Sequence, residues 1–250
     1  LTIKGQSGEG VICLSHDFLG AECPVALTNT TEKLGDFRVI GDGLADTDSG
    51  IVILEADGLG GVGDFVTTNE AKHGVYVATG LVFDVALMGT LVAECRVRFA
   101  DTDAKHFFMG FSDVNGDDLS LEDDMISGAT TTITLTASDI CGFFYDEGLT
   151  DDEDWHAVYN GGTTAGETDS TELDLDSDIV AGEWQLLRLE IDPNGTARWY
   201  VDGDLKKTVE GAASKTTDLG FVCGVESSAA TNEHAYIDYV KVEANRDWNA

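Results

Sequence analysis

The sequence predicts an all-β protein built as an antiparallel β-sandwich. Three observations carry that expectation. Several stretches alternate apolar and polar residues with a period of two. The cleanest is 91–99, where Leu91, Ala93, Cys95, Val97 and Phe99 face in and Val92, Glu94, Arg96 and Arg98 face out. Turn-forming residues punctuate such stretches at spacings of roughly 8–15 residues, the pattern of a sandwich or barrel. No window shows helical amphipathicity, and 29 glycines against two prolines favour tight turns over unstructured linkers.

Taken in order, residues 11–14 and 37–40 read as short strands with glycine-rich connections, and 16–20 as a strand running out into a turn. A strand at 51–55 precedes a loop at 58–63 with four glycines in six residues. Residues 75–78 and 81–85 read as a hairpin. In 106–112, Phe107, Met109 and Phe111 share one side. An acidic loop spans 113–124. Strands at 130–135, 140–145 and 155–159 follow, the last preceded by Asp151-Asp152-Glu153-Asp154.

Residues 182–210 form a three-stranded meander. Leu187, Leu189 and Ile191 alternate with Arg188, Glu190 and Asp192. Asp192-Pro193-Asn194-Gly195 then turns the chain, proline pre-setting φ and glycine accepting positive φ. Ala197, Trp199 and Val201 carry the second strand, Asp202-Gly203 is a hairpin signal, and Leu205 and Val209 carry the third. Trp184 and Trp199 are both expected to be structural. A strand with Leu219, Phe221, Cys223 and Val225 follows; the last, 235–242, is apolar on both faces, so its sides cannot be assigned. No linker divides the chain. The expectation is a single domain over 1–250, with 1–50 an N-terminal arm plus the first strands.

This succession resembles the concanavalin A-like, or laminin-G-like, jelly roll: LVAECRVRF, HFFMGFSD, ICGFFYD, a tryptophan strand, GEWQLLRLEIDPNGTARWYVDG and AYIDYVKVE. In that superfold a W-x-x-L-x-x-x-x-D-x-x-G-x-x-x-x-Y-x-D-G segment forms neighbouring strands, and here it is Trp184, Leu187, Asp192, Gly195, Tyr200, Asp202 and Gly203. A narrower resemblance is to virion structural proteins of tailed bacteriophages. It rests on the joint order of Asp17-Phe18-Leu19-Gly20, Phe108-Met109-Gly110-Phe111-Ser112-Asp113, Gly142-Phe143-Phe144-Tyr145-Asp146 and Tyr200-Val201-Asp202-Gly203. The resemblance covers most of residues 10–243 and implies a capsid-associated or fibre-associated module.

Charge and cysteines narrow the partners. The net charge is −33, and residues 101–178 hold 21 acidic residues against one basic residue, Lys105. Such a surface repels nucleic acid and anionic membranes. It suits a solvated coat, high salt, calcium or a basic partner. No apolar run reaches 18 residues, and no basic-plus-apolar leader pattern is present. Cys13, Cys23, Cys95, Cys141 and Cys223 lack the close spacing of metal sites. They read as buried thiols made in a reducing cytoplasm, with a Cys13–Cys23 bridge as the alternative.

Few motifs point to chemistry. Glu190-Ile191-Asp192 is comparable to the E-x-D-x-E or E-x-D-x-x-E strand of glucanases on this fold, but Asn194 and Gly195 stand where the second catalytic acid is needed. The expectation is no enzyme. Asp113, Asn115, Asp117, Asp118 and Asp124 are spaced like a calcium loop, with Asp118 in place of the usual glycine. A calcium site and a solvated acidic turn are both open there, and no other cofactor is expected. Glu172, Asp174, Asp176 and Asp178 would share one face if extended, as a docking strip or a protected edge. The five histidines form no zinc pair, and neither a G-x-S-x-G elbow nor a phosphate loop is present. Trp155, His156 and Tyr159 could stack a sugar ring, but Trp155 alternates with Ala157 and fits a core face.

The functional expectation is a non-enzymatic phage virion protein that decorates or stabilises the capsid head from its exterior, after synthesis in the host cytoplasm. Its partners would be the major capsid protein or another virion protein, and it would be a homo-oligomer or present in many copies. The alternatives are a glycan-binding, lectin-like module on a fibre or bacterial surface protein, and a degenerate glucanase-like domain.

Overall fold

The computed structural model describes residues 10–19, 25–26, 32–42, 49–53, 61–150 and 153–246. Among the described residues strand accounts for 54% and helix for 4%, well under the roughly one-third helix of an average domain. In chain order the strands are β1 (Val11–His16), β2 (Val25–Ala26), β3 (Glu32–Leu34), β4 (Phe37–Ile40), β5 (Gly50–Ile53), β6 (Gly63–Val66), β7 (Gly74–Ala78), β8 (Leu91–Arg98), β9 (Lys105–Ser112) and β10 (Ile126–Ala129). They continue as β11 (Thr132–Leu135), β12 (Ile140–Asp146), β13 (Asp154–Asn160), β14 (Asp174–Asp178), β15 (Gln185–Ile191), β16 (Ala197–Val201), β17 (Asp204–Val209), β18 (Gly220–Ser227) and β19 (His234–Asn245).

Among the described residues these strands make two large antiparallel sheets and a separate β10–β11 hairpin. The first sheet runs β17-β16-β15-β8-β19-β6-β5-β2, with β1 lying along the C-terminal half of β19. The second runs β14-β13-β12-β9-β18-β7-β4-β3. The period-two residues of β8, β15 and β16 face those of β9, β12 and β13 across one core. Trp155 is fully buried there, its ring centroid 5.6 Å from Phe107 and 5.8 Å from Phe99. Trp199 links the sheets: its ring is buried and its Nε1–H donates to the carbonyl of Gly142 at 2.8 Å. The Asp202-Gly203 turn has φ of 52° and 87°, the two left-handed residues that a type I′ hairpin requires.

Three expectations are corrected. Trp184 is not in the core: it lies half-buried on the outer face of the first sheet, against Arg96 and Arg98. Residues 81–85 form no strand. Phe83 makes an isolated bridge to Leu219, while Leu81 and Val82 are exposed, so β7 pairs with β4 and β18 instead. Glu172 sits in a helical turn, Ser170–Leu173, capped by the Asp169 carboxylate, so the acidic edge strand begins at Asp174. The ambiguity of the last strand also resolves. A bulge between Ile237 and Tyr239 shifts the register, so Ala235, Ile237, Val240 and Val242 all point inward although their spacing breaks period two.

The second sheet is buried on both faces: every residue of β9, β12 and β18 is buried. The segment between β9 and β12 crosses its outer face as a strap. Leu119, Leu121, Met125, Ile126 and Ile133 of that segment join the core. Glycines let aromatic rings lie flat beneath it; a Cβ on Gly142 would meet the Phe108 ring at 2.7 Å, and one on Gly224 the Tyr76 ring at 2.8 Å.

Candidate functional site

Under the strap, strand register sets three titratable side chains side by side. Asp146 of β12 and Glu226 of β18 flank His106 of β9 on the outer face. His106 Nε2 is 3.3 Å from Asp146 Oδ1, and its Nδ1 is 3.4 Å from Glu226 Oε1. Glu226 is 0%, Asp146 1% and His106 5% exposed, so solvent and substrates do not reach them. The strap, Tyr76 and Gly148 supply the remaining donors. The backbone N–H groups of Leu121 and Glu122 donate to the two Glu226 oxygens, and Gly128 N–H donates to Asp146 Oδ2 at 2.6 Å. Tyr76 Oη–H donates to Glu226 Oε2 at 3.0 Å, and Gly148 N–H to Asp146 Oδ1 at 2.7 Å. Burial pulls the His106 pKa down, but the hydrogen bonds and charges of Asp146 and Glu226 outweigh it and push the value up to about 10. Two carboxylates about an imidazole is an acid–base constellation, yet here every member is engaged and sealed. Glu122 of the strap brings a third carboxylate to the same point: ligand atoms of His106, Glu122 and Glu226 lie within 4.8 Å of one another.

The outer face of the first sheet is charged and, among the described residues, uncovered. Arg188 bridges Glu94 at 3.0 Å and Glu190 at 2.7 Å, and Arg198 holds Asp192 at 2.6 Å and Glu190 at 3.3 Å. Burial raises Glu190, but Arg188 and Arg198 win and hold it below the ordinary glutamate range. The Arg198 hydrogen bond likewise holds Asp192 low. The two acids that invited comparison with glucanases are therefore fixed anions in an ion-pair ladder. Beside the ladder, the Arg98 guanidinium lies 4.8 Å from the centre of the Trp184 ring and 4.9 Å from that of Tyr236. Arg96 also touches Trp184, at 4.7 Å, and pairs with Asp238 at 2.8 Å. Among the described residues no carboxylate pairs with Arg98, and its buried Nε–H has no acceptor.

The loop that reads as a calcium site is held by protein partners. Asp113 Oδ1 accepts from Asp139 N–H, and Asn115 donates its amide to the Thr79 carbonyl at 2.7 Å. Asp117 pairs with Arg38, Asp118 is exposed, and Asp124 Oδ2 accepts from Ser120 N–H at 3.0 Å. Among the described residues, Asp113, Asp117, Asp118 and Asp124 supply no three carboxylates gathered at one point. Lys105, the lone cation of the acidic stretch, is buried between Asp101 at 2.6 Å and Glu233 at 2.8 Å. Cys95, Cys141 and Cys223 are unbridged, buried thiols, while Cys23 lies outside the described residues. His156 and Trp155 are fully buried and present no sugar-stacking surface.

No protein-family model matches the chain, and no curated protein matches it. Solved structures do. A carbohydrate esterase from the Shiga toxin-encoding bacteriophage phi24B matches with a TM-score of 0.54 and 18% identity, over 95% of this chain and 100% of that one. The carbohydrate recognition domain of Emp47p matches with a TM-score of 0.55 and 12% identity, over 88% and 93%. The fold is a concanavalin A-like jelly roll. The Bacillus licheniformis β-glucanase shares it as well, with a TM-score of 0.51 and 14% identity over 95% and 99% of the two chains. At such identities the likeness is one of fold.

Proposed function

We propose that this jelly roll is a non-catalytic carbohydrate-binding module whose ligand carries an acidic group, as a uronic acid does. The carrying observation is the Arg98 guanidinium, held between Trp184 and Tyr236 on an open sheet face with no carboxylate partner among the described residues. Half-buried aromatic rings offer apolar contact to a sugar, and a guanidinium fork offers paired donors to a carboxylate. Three carbohydrate-directed proteins of the same fold lend support. The non-catalytic part rests on the engagement of Glu190, Asp192, Asp146 and Glu226 by fixed partners. A glycan array carrying neutral and uronate-containing oligosaccharides tests the reading, followed by titration of tryptophan fluorescence. Binding of acidic glycans that is lost in Arg98→Gln and in Trp184→Ala, with the circular dichroism spectrum unchanged, is expected. Absence of binding to every glycan overturns it. Hydrolysis of β-glucan by the wild type, abolished in Glu190→Gln, overturns the non-catalytic part.

The second reading is head decoration on a phage virion, outside the capsid, in contact with the major capsid protein. Its specific support is the ordered run of phage-like motifs together with the likeness to a phage-encoded jelly roll. Mixing purified protein with undecorated heads over a salt series tests it. Occupancy that falls as salt rises marks an electrostatic dock of the acidic surface, and no occupancy at any salt removes the reading.

A further inference from the structure

We infer that His106, Glu122 and Glu226 form a binding site for a divalent transition-metal ion, zinc foremost. The three offer one nitrogen and two carboxylate oxygens that lie within 4.8 Å of one another. The His106 Nδ1 to Glu226 Oε1 separation of 3.4 Å is long for a hydrogen bond between buried opposite charges. It matches the edge of a tetrahedron with metal–ligand bonds of about 2.0–2.1 Å, which is about 3.4 Å. An imidazole ligand argues against calcium and magnesium, which take oxygen, and for zinc or its neighbours.

The surroundings suit an ion. Asp146 stands 3.3 Å from the far ring nitrogen, His106 Nε2, and is itself fixed by the N–H groups of Gly128 and Gly148. A carboxylate there holds the Nε2–H, and the ion would take the place of the Nδ1 proton, which is released to solvent as the metal binds. Glu226 Oε2 is oriented by Tyr76 and Leu121, so the carboxylate cannot swing away. The charge account points the same way. Three carboxylates (Asp146, Glu226, Glu122) converge on one imidazole, and Lys72 reaches Glu122 at 3.3 Å from the exposed side while also serving Asp123 at 2.7 Å. His106 and Glu226 belong to the sheet and Glu122 to the strap, so the ion would clamp the strap onto the sheet from residues 120 positions apart in β9 and β18.

The test uses the whole protein, stripped with chelator. Zinc is titrated by calorimetry, and cobalt is followed by its visible spectrum. One equivalent of each should bind, cobalt giving a tetrahedral nitrogen/oxygen spectrum. Glu122→Gln should weaken binding at least tenfold, because it removes a ligand while its backbone N–H still holds Glu226. Glu122 is half-exposed, so the metal-free melting temperature of that variant should stay close to wild type. Asp113→Asn/Asp117→Asn should bind both ions as the wild type does. Bound zinc should also slow amide exchange across 119–128. No saturable one-equivalent uptake, uptake indifferent to Glu122→Gln, or a cobalt band marking thiolate ligation would each overturn the assignment.

Discussion

Trp199→Ala is the sharpest probe of how the two sheets are joined. The ring is fully buried, its centroid 6.2 Å from that of Tyr159, and its Nε1–H satisfies the Gly142 carbonyl of the opposite sheet at 2.8 Å. A buried tryptophan removes about 150–250 Å² from water, worth up to about 4–6 kcal/mol at 25 cal/mol per Å². That is an upper bound, because the unfolded chain already hides part of this area. Large-to-small core changes of this kind cost about 3–5 kcal/mol. Trp199→Phe separates the two contributions. It keeps most of the apolar body and loses the hydrogen bond, so a loss of about 1–2 kcal/mol is expected. Trp184→Ala is the control. That ring is half-buried and its particular partners are the guanidiniums of Arg96 and Arg98, so its removal should cost only about 0.5–1.5 kcal/mol. Urea unfolding followed by far-ultraviolet circular dichroism measures all three. A Trp199→Ala loss below about 1 kcal/mol, or a Trp184→Ala loss equal to it, would refute the placement of the two rings.

Two other expectations follow from side-chain geometry. His234 Nδ1 lies 2.9 Å from Asp64 Oδ1, and that hydrogen bond raises the His234 pKa despite partial burial. A raised folded-state value means that the pair's contribution is complete below the unfolded histidine pKa of about 6.5 and is lost as pH rises through the folded value. The stability gap between wild type and His234→Gln should therefore be widest near pH 5–6 and close toward alkaline pH; a gap that widens with pH contradicts the pairing. For the acidic loop, calcium and chelator should leave the melting temperature unchanged, because Asn115 and Asp117 are committed to Thr79 and Arg38. A calcium-dependent rise that disappears in Asp113→Asn/Asp117→Asn would establish the cation site instead.

The sandwich was legible wherever a strand has one wet face. In β8 the polar residues Glu94, Arg96 and Arg98 mark that face directly, and in β15 and β16 Arg188, Glu190 and Arg198 do the same. The second sheet hid its arrangement because both of its faces are dry. Phe108, Gly110, Phe144, Gly142, Val222 and Gly224 fill the side that an alternation argument leaves to solvent, and nothing local in 113–139 says that this segment folds back over them. His106, Asp146 and Glu226 escaped for the same reason. They come from three strands far apart in sequence, and only strand register makes them neighbours. The one available hint was a charged or titratable residue at the end of each otherwise apolar strand: KHFF, FFYD and GVES. In β19 the obstacle was backbone geometry, since a bulge that adds one residue makes a regular inward face look irregular.

The strap has a consequence for where this jelly roll can meet a ligand. A sandwich offers two outer faces, and here the chain itself occupies one of them, filling it with Leu121, Met125 and Ile126 and donating its own N–H groups to Glu226 and Asp146. Opening that face would take the Leu121, Glu122 and Gly128 donors away from two buried carboxylates, at about 1–3 kcal/mol for each hydrogen-bonding site left unsatisfied. A ligand that leaves the strap in place meets the other sheet. There Glu94, Glu190, Asp192 and Asp238 are each matched by an arginine, whereas Arg98 is held by rings. In a chain of net charge −33, carboxylates are abundant, and a guanidinium left to two aromatic faces is shielded from them by its setting rather than by their scarcity. On the carbohydrate-binding reading proposed above, an acidic sugar would meet the Arg98 side of the first sheet, and the sealed sheet would serve to hold the strap.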